Sequence, residues 1–138
     1  MSRVFVDTSA IYAVLDSGDH RHGEAAKVWR ELLLSEVTLL TSNYILVECC
    51  ALLQNRLGLE AVQVFTDDIV PLMDVRWIDA GLHRGAESVY RSQRRRSLSL
   101  VDCSSFQVIR QSGVSRAFTL DRHFAEQGFE CLPDVKVA

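Results

Sequence analysis

The chain has 138 residues and a formal net charge of −3, with 48% hydrophobic and 24% charged residues. This composition predicts one globular domain over residues 1–138, and it argues against a disordered chain or a protein that binds nucleic acid through overall positive charge. No apolar run is as long as the about 18 residues that a membrane-spanning helix needs. The N-terminus also lacks the pattern of a secretory signal. We therefore expect a cytoplasmic protein without a membrane partner.

Short apolar segments alternate with segments of helical periodicity along the chain. Glycine, proline and N-capping residues, such as the hydroxyls of Thr8 and Ser9, mark the boundaries between them. The predicted elements are, in chain order, strand 3–6, helix 10–15, helix 24–34, strand 37–40, helix 43–56, helix 59–72, strand 75–78, a helix capped by Asp79, a helix that begins at Ser99 or Val101, strand 116–120 and a candidate fifth strand at 130–132.

This alternation indicates an α/β fold with a mostly parallel sheet of four to five strands, covered by helices on both faces. In such sheets ligands bind in the crevice at the carboxyl ends of the strands. Asp7 directly follows the first predicted strand and Asp121 directly follows the fourth, so both are predicted to lie at that edge. The aromatic residues expected in the core are Trp29, Trp77, Phe106 and Phe118.

Four carboxylates stand where an ordinary core has little use for a charge, and they are Asp7, Glu48, Asp102 and Asp121. Burying such a group costs free energy unless a positive charge compensates it. Glu48 lies in the middle of an apolar helix, beyond the reach of capping, although Arg56 could form a tertiary ion pair with it. Each aspartate also has a purely structural alternative, as a carboxylate at a helix N-terminus or as a turn residue.

Carboxylates brought together at one edge of a sheet repel one another and take up protons unless a cation is bound. Mg²⁺ or Mn²⁺ fits best, because these ions prefer oxygen ligands. The four cysteines offer no CxxC pair and no zinc-like spacing. Among the histidines only His123 is close in sequence to one of the acids. The chemistry that such a cluster supports is the metal-dependent cleavage of a phosphodiester.

The residues around these acids resemble a PIN domain, and most closely the VapC-type ribonuclease toxins of bacterial toxin–antitoxin pairs. The resemblance covers essentially the whole chain. It is carried by Val6-Asp7-Thr8-Ser9-Ala10, by Glu48 in its apolar helix, by the segment 99–106 and by Thr119-Leu120-Asp121-Arg122-His123-Phe124.

This resemblance implies a three-layer α/β/α sandwich and an Mg²⁺- or Mn²⁺-dependent endonuclease that acts on single-stranded RNA. The acidic cluster of the family falls on Asp7, Glu48, Asp102 and Asp121, with Asp7 and Asp102 as the main metal ligands. Hydroxyls that orient ligands or water fall on Thr8, Ser9 and Thr119. The resemblance also implies a homodimer and a cognate antitoxin protein that masks the site.

Four arginines fall within six residues, at Arg91, Arg94, Arg95 and Arg96. Arginine suits phosphate recognition, because its planar fork can donate two parallel hydrogen bonds. These arginines precede the segment of Asp102. Contact with RNA phosphates, contact with an acidic antitoxin tail and simple solvation all remain open.

Other functions stay open as well. A receiver-like signalling module also places acids at strand ends, but it needs a lysine after a late strand, and here the late lysine is Lys136 in the tail. A phosphatase of the haloacid dehalogenase type needs a second aspartate two residues after the first, where this chain has Ser9. A non-catalytic binding module would leave the acidic cluster unexplained. A PIN nuclease of RNA processing without an antitoxin is the remaining alternative, and an adjacent antitoxin reading frame would distinguish it from a toxin.

Overall fold

A computed structural model of the chain describes residues 2–134. Its strands and helices alternate as the sequence predicts. Along the chain they are β1 (Arg3–Val6), α1 (Thr8–Leu15), α2 (His22–Leu34), β2 (Thr38–Ser42), α3 (Asn43–Arg56), α4 (Leu59–Val64), β3 (Met73–Arg76), α5 (Ala80–Gln93), α6 (Leu100–Gln111), β4 (Arg116–Phe118), α7 (His123–Glu126) and β5 (Glu130–Leu132). Within this range no helix is long and apolar enough to cross a membrane.

The five strands form one sheet in the order β3-β2-β1-β4-β5, and every neighbouring pair is parallel. The predicted α/β fold with four to five mostly parallel strands is therefore confirmed. From β1 the chain runs outward to β2 and β3, and then it crosses back to β4 and β5. The strand order thus reverses between β1 and β4, and the crevice at the carboxyl ends of these two strands is the usual ligand site of such a sheet.

Helices cover both faces of the sheet, because right-handed crossovers place the connections before and after this reversal on opposite sides. Trp29 of α2 stacks on Phe118 of β4 with ring centroids 6.2 Å apart, while Phe124 of α7 stacks on Phe5 of β1 at 6.4 Å. Phe118 is in register with Val6 rather than with Phe5, so the two stacks lie on opposite faces. The result is the three-layer α/β/α sandwich.

The third strand lies two residues earlier than predicted, at Met73–Arg76 instead of 75–78. Its first residue is buried and pairs with β2. After this strand the backbone leaves the sheet, and the N–H of Ile78 donates to Oδ1 of Asn43 at 2.6 Å. The side chain of Trp77 is consequently 67% exposed, so its predicted place in the core is wrong. The core prediction is confirmed for Phe106 and Phe118, while Trp29 is partly buried and packs against the core.

The predicted helix over 59–72 is helical throughout but changes its type. After α4 the chain makes a π-helical turn at Phe65–Ile69 and a 3-10 turn at Val70–Leu72. Pro71 lies in the last turn, where its missing N–H prevents the helix from continuing. Gly58 separates α3 from α4 with a φ of 100°, a conformation that favours glycine.

Candidate active site

Asp7 follows β1 directly and is the N-cap of α1. Its Oδ2 accepts hydrogen bonds from the Ser9 N–H at 3.3 Å, from the Ser9 hydroxyl at 2.7 Å and from the Thr119 hydroxyl at 2.9 Å. The predicted capping by the hydroxyls of Thr8 and Ser9 is therefore wrong, because the carboxylate caps the helix and Ser9 is a donor to it. No described residue donates to Oδ1, which is available to a ligand.

Burial has the largest effect on the pKa of Asp7, because this residue is only 4% exposed. Desolvation raises the pKa of its carboxyl to about 7; the hydroxyls of Ser9 and Thr119 oppose this increase, and the charges of Asp102 and Asp121 add to it. No lysine or arginine among the described residues forms an ion pair with Asp7. A bound cation is the remaining way to stabilise the ionised form.

Thr119 connects the carboxyl ends of β1 and β4. Its buried hydroxyl donates to Asp7 and accepts the N–H of Asp121 at 3.0 Å. The Ser9 hydroxyl makes a parallel connection, because it donates to Asp7 and accepts the N–H of Leu120 at 2.9 Å. The two hydroxyls therefore fix the Asp7 carboxylate relative to the backbone that carries Asp121.

Glu48 lies in the middle of α3 and is half-buried. Burial raises the pKa of its carboxyl; the Thr8 hydroxyl opposes this increase, and the charges of Asp102 and Asp121 add to it. Oγ1 of Thr8 is itself buried without a well-formed hydrogen bond among the described residues. The ion pair between Glu48 and Arg56, which the sequence allowed, is not formed. Glu48 therefore lacks a protein cation, as Asp7 does.

Asp102 belongs to the first turn of α6 and forms a capping box with Ser99. The Ser99 hydroxyl accepts the N–H of Asp102, and Oδ2 of Asp102 accepts the N–H of Ser99, both at 3.0 Å. Burial raises the pKa of the Asp102 carboxyl; the Ser99 N–H opposes this increase and the charge of Asp121 adds to it. As in Asp7, one carboxylate oxygen serves the helix start, and Oδ1 has no donor from a described residue.

Asp121 shapes the turn after β4. Its Oδ1 accepts the N–H of His123 at 3.0 Å and lies 2.7 Å from Nδ1 of the same histidine, without hydrogen-bond alignment. Ligand atoms of Asp102, Asp121 and His123 all lie within 4.8 Å of one another. His123, the histidine that the sequence places near an acid, thus joins the candidate metal ligands, although it was not among the predicted site residues.

The four predicted acids line one open cleft of about 340 Å³ at the carboxyl edge of the sheet. Its lining residues are Asp7, Thr8, Ser9, Glu48, Leu52, Ser99, Asp102 and Asp121. Asp102, Asp121 and His123 lie close enough together to bind one metal ion. Asp7 and Glu48 also line the cleft, but they do not belong to this group of three. Carboxylate oxygens without protein donors and the unsatisfied Thr8 hydroxyl form an oxygen-rich set that fits a hard divalent cation.

The four clustered arginines that were candidates for RNA or antitoxin contact lie at the end of α5 and in the loop that leads to α6. They are all exposed, and none lines the acidic cleft. Arg94 ends α5 in a left-handed conformation with a φ of 49°. Arg95 is 3.4 Å from Glu126. The loop meets the site through Ser97, whose hydroxyl is 3.3 Å from Nε2 of His123, and it then ends at the N-cap Ser99.

The all-parallel sheet, with an acidic cleft where its strand order reverses, makes this an α/β protein with a candidate metal-dependent site. The family model described as PIN domain matches residues 4–130. The chain therefore belongs to the PIN domain family, and the resemblance found in the sequence is confirmed.

Relatives of known name agree with this assignment. Two proteins from Mycobacterium tuberculosis, of strains CDC 1551 / Oshkosh and ATCC 25618 / H37Rv, are each named 23S rRNA-specific endonuclease VapC20. Each is 33% identical to this chain over 127 residues, which are 91% of this chain and 95% of the relative. The crystal structure of Mycobacterium tuberculosis VapC20, described as a sarcin-ricin loop cleaving toxin, matches with a TM-score of 0.82 and 31% identity over 91% of this chain and 95% of that chain.

A more distant structure shows the shared fold alone. FitAcB from Neisseria gonorrhoeae matches with a TM-score of 0.66 and 16% identity, over 93% of this chain and 95% of that chain. The family assignment does not favour the receiver-like alternative, and Lys136, the lysine that it would use, lies outside the described residues. A PIN nuclease without an antitoxin is compatible with the family.

Proposed function

We propose that this chain is a metal-dependent endoribonuclease and the toxin of a toxin–antitoxin pair. The observation that carries the proposal is the single cleft lined by Asp7, Glu48, Asp102 and Asp121 at the strand-order reversal. Burial raises the pKa of three of these carboxyls without a lysine or arginine partner among the described residues. The names of the 33% identical relatives support the same activity.

In this proposal Asp7 and Asp102 are the main metal ligands, because each uses Oδ2 for a helix start and leaves Oδ1 for a cation. Glu48 and Asp121 complete the set, directly or through water. When bound, Mg²⁺ or Mn²⁺ supplies a Lewis acid that activates water and stabilises charge on the phosphate. The chain itself positions the acids: Ser9 and Thr119 hold Asp7, and the Thr8 hydroxyl offers one more oxygen.

We propose single-stranded or loop RNA as the substrate, with a ribosomal RNA loop as the first candidate. Sequence-specific RNA recognition mostly uses unpaired loops, whose bases are free to contact protein. The relatives that cover 91% of this chain carry names that refer to 23S rRNA. Such a substrate agrees with the cytoplasmic location that we expect.

The proposal is tested by expressing three forms of the protein from a tightly controlled promoter while growth and total RNA are followed. The forms are wild type, Asp7→Asn and the control Asp79→Asn. Asparagine at Asp7 nearly preserves the volume and removes the metal-binding charge. Asp79 caps α5 away from the cleft, and asparagine caps a helix about as well as aspartate.

We expect growth arrest and discrete RNA cleavage with wild type and Asp79→Asn, and neither with Asp7→Asn. Purified, metal-supplemented protein that leaves a broad panel of structured RNAs intact would overturn the proposal. An antitoxin reading frame adjacent to the gene would favour the toxin over a PIN nuclease of RNA processing.

The arginine-rich loop has a proposed role beside the cleft, as a contact for RNA phosphates. Arg91 at the end of α5 and Arg94, Arg95 and Arg96 after it are exposed, and the loop leads directly to Ser99 and the acidic site. A double Arg94→Ala/Arg96→Ala variant should weaken RNA binding and reduce its salt dependence. Weaker antitoxin binding with unchanged RNA binding would instead assign the arginines to the antitoxin.

Homodimerisation and antitoxin binding are proposed as further parts of this function. Large apolar side chains are exposed on α3, in the turn after it and at both ends of α4, and they are Val47, Leu57, Leu59 and Val64. Exposed apolar patches commonly mark protein interfaces. A dimer in light scattering that becomes a monomer with Leu59→Glu would support this surface, and a monomeric wild type would contradict the dimer.

A further inference from the structure

A second cleft adjoins the acidic one and shares Ser9 and Leu52 with it. Its volume is about 380 Å³, similar to that of the acidic cleft. The other lining residues are Tyr12, Asp19, His20, Arg21, Arg56 and Leu120. Apart from the shared Ser9, none of these side chains has a part in the proposed hydrolysis, so the hydrolysis does not explain the second cleft.

Flat and apolar surfaces make up much of this second cleft. Leu52 and Leu120 are partly buried and supply apolar walls. The guanidinium of Arg56 lies over the ring of Tyr12, 5.9 Å from its centroid. The hydroxyl of Tyr12 donates to Oδ2 of Asp16 at 2.6 Å, which fixes the ring. An aromatic ring and a planar cation thus lie beside an apolar surface.

Most charged groups around this cleft already have partners. Asp19 accepts the N–H of Arg21 at 2.8 Å, and the side chain of Arg21 pairs with Glu24. The ring of His20 is 3.8 Å from Asp19. Arg56 is exposed and has no ion pair among the described residues. The Tyr12 hydroxyl lowers the pKa of the neighbouring Asp16 carboxyl, and the charge of Arg56 adds to this decrease. Because Arg56 forms no salt bridge with a described residue, its guanidinium can still bind an anion.

We propose that the second cleft binds one unpaired nucleotide of the RNA, adjacent to the phosphate that enters the acidic cleft. The inference rests on the proposed function and deepens it. The base stacks on the Tyr12 ring or the Arg56 guanidinium and covers Leu52 and Leu120, as unpaired bases do on aromatic rings and guanidinium planes. The Arg56 fork also donates to the phosphate of that nucleotide.

Continuity between the two clefts makes a single strand the fitting ligand. Because both clefts include Ser9 and Leu52, one strand can occupy them together. A base inside a duplex must lose its stacking and pairing before it can turn into the second cleft, whereas an unpaired base has no pairing to lose. The second cleft therefore gives this enzyme a preference for unpaired RNA that the acidic cluster alone does not supply.

The test measures steady-state cleavage of an RNA that wild type cleaves, with variants of the second cleft. Arg56→Ala and Tyr12→Leu should each raise KM by at least about fivefold with little change in kcat. Tyr12→Phe keeps the ring and should remain near the wild-type KM. Arg30→Ala is the matched control, since Arg30 is an exposed arginine on α2 outside the second cleft. Thermal unfolding confirms that each variant is folded.

A second measurement uses RNAs in which single nucleotides beside the cleavage position are abasic. At one position, removal of the base should raise the KM of wild type at least about fivefold. The same abasic RNA should raise the KM of the Tyr12→Leu variant only slightly, because that variant has already lost the stacking surface. Wild-type KM values for both Arg56→Ala and Tyr12→Leu, or a full abasic effect on Tyr12→Leu, would overturn the nucleotide site while the proposed activity stands. A wild-type protein that cleaves no RNA would overturn both.

Discussion

The hydroxyl of Thr119 donates to Oδ2 of Asp7 at 2.9 Å, although 112 positions separate the two residues in the chain. The same hydroxyl accepts the N–H of Asp121 at 3.0 Å. One buried, uncharged side chain thus positions one acid directly and another through its backbone. The acidic cleft is therefore organised by residues that do not themselves carry charge.

Replacing Thr119 by valine keeps the volume and removes this link. Asp7 loses a donor and the N–H of Asp121 loses its acceptor, so we expect kcat to fall about 10- to 100-fold and the free energy of unfolding to fall by about 1–3 kcal/mol. Thr119→Ser keeps the hydroxyl and should restore most of the activity. Cleavage kinetics and urea unfolding of the three proteins check this, and a valine variant with wild-type kcat would contradict the positioning role.

The metal-free protein should lose stability as the pH rises. The pKa of Asp7 is about 7 in the folded chain, against an ordinary value of 3.8. Between these values the folded state holds a proton that the unfolded state has released, so the free energy of unfolding falls as pH increases. The full shift corresponds to about 4 kcal/mol, because one pKa unit is about 1.4 kcal/mol.

Urea unfolding in EDTA at pH 4.5, 6 and 8, with wild type and Asp7→Asn, isolates this contribution. The asparagine variant cannot ionise, so it should become the more stable of the two toward pH 8. Mg²⁺ should stabilise wild type more at pH 8 than at pH 5, because protons compete for the same oxygens. An equal Mg²⁺ effect in wild type and Asp7→Asn would contradict the assignment.

The helix cap at Ser99 should influence the metal as well as stability. Ser99→Ala removes the capping box that orients Asp102, which should cost about 1 kcal/mol of unfolding free energy and raise the Mg²⁺ concentration for half-maximal activity. Asp79→Ala removes the side-chain N-cap of α5, which accepts the Leu82 N–H away from the cleft. It should lose similar stability and keep the wild-type Mg²⁺ dependence. Identical Mg²⁺ curves for the two variants would show that capping does not orient Asp102.

His123 should tune the site through Asp121. Its Nδ1 lies 2.7 Å from Oδ1 of Asp121, and its ligand atom is within 4.8 Å of those of Asp102 and Asp121. We expect His123→Ala to weaken Mg²⁺ or Mn²⁺ binding about 10- to 100-fold, since residues that support metal ligands have effects of this size. Calorimetric titration with Mn²⁺ measures the affinity directly. An unchanged dissociation constant would remove His123 from the site.

Sequence predicted the acids because charges at strand ends and in an apolar helix have few structural uses. It could not choose between capping and metal binding for Asp7 and Asp102. The structure explains why: each carboxylate serves a helix start with Oδ2 and has no described donor to Oδ1, and both residues line the cleft. The two interpretations are compatible, and the choice of oxygen depends on side-chain rotation that sequence does not encode locally.

Other features depend on contacts that are distant in the chain. Trp77 is apolar and was expected inside, but the strand before it ends at Arg76 and turns it to solvent. The second cleft joins Tyr12, Arg56 and Leu120, which come from three separate elements of the fold. No local pattern predicts that they meet, whereas the sheet that brings them together was predictable from the alternation of strands and helices.

RNA cleavage at the acidic cleft with a divalent cation is the activity that we propose for this chain. The most direct measurement is cleavage of end-labelled ribosomal RNA fragments by purified wild type and Asp7→Asn, in Mg²⁺, in Mn²⁺ and in EDTA. We expect discrete cleavage by wild type that stops in EDTA, returns when metal is added back, and is absent from Asp7→Asn. The same products in EDTA or from Asp7→Asn, or intact RNA under every condition, would contradict it.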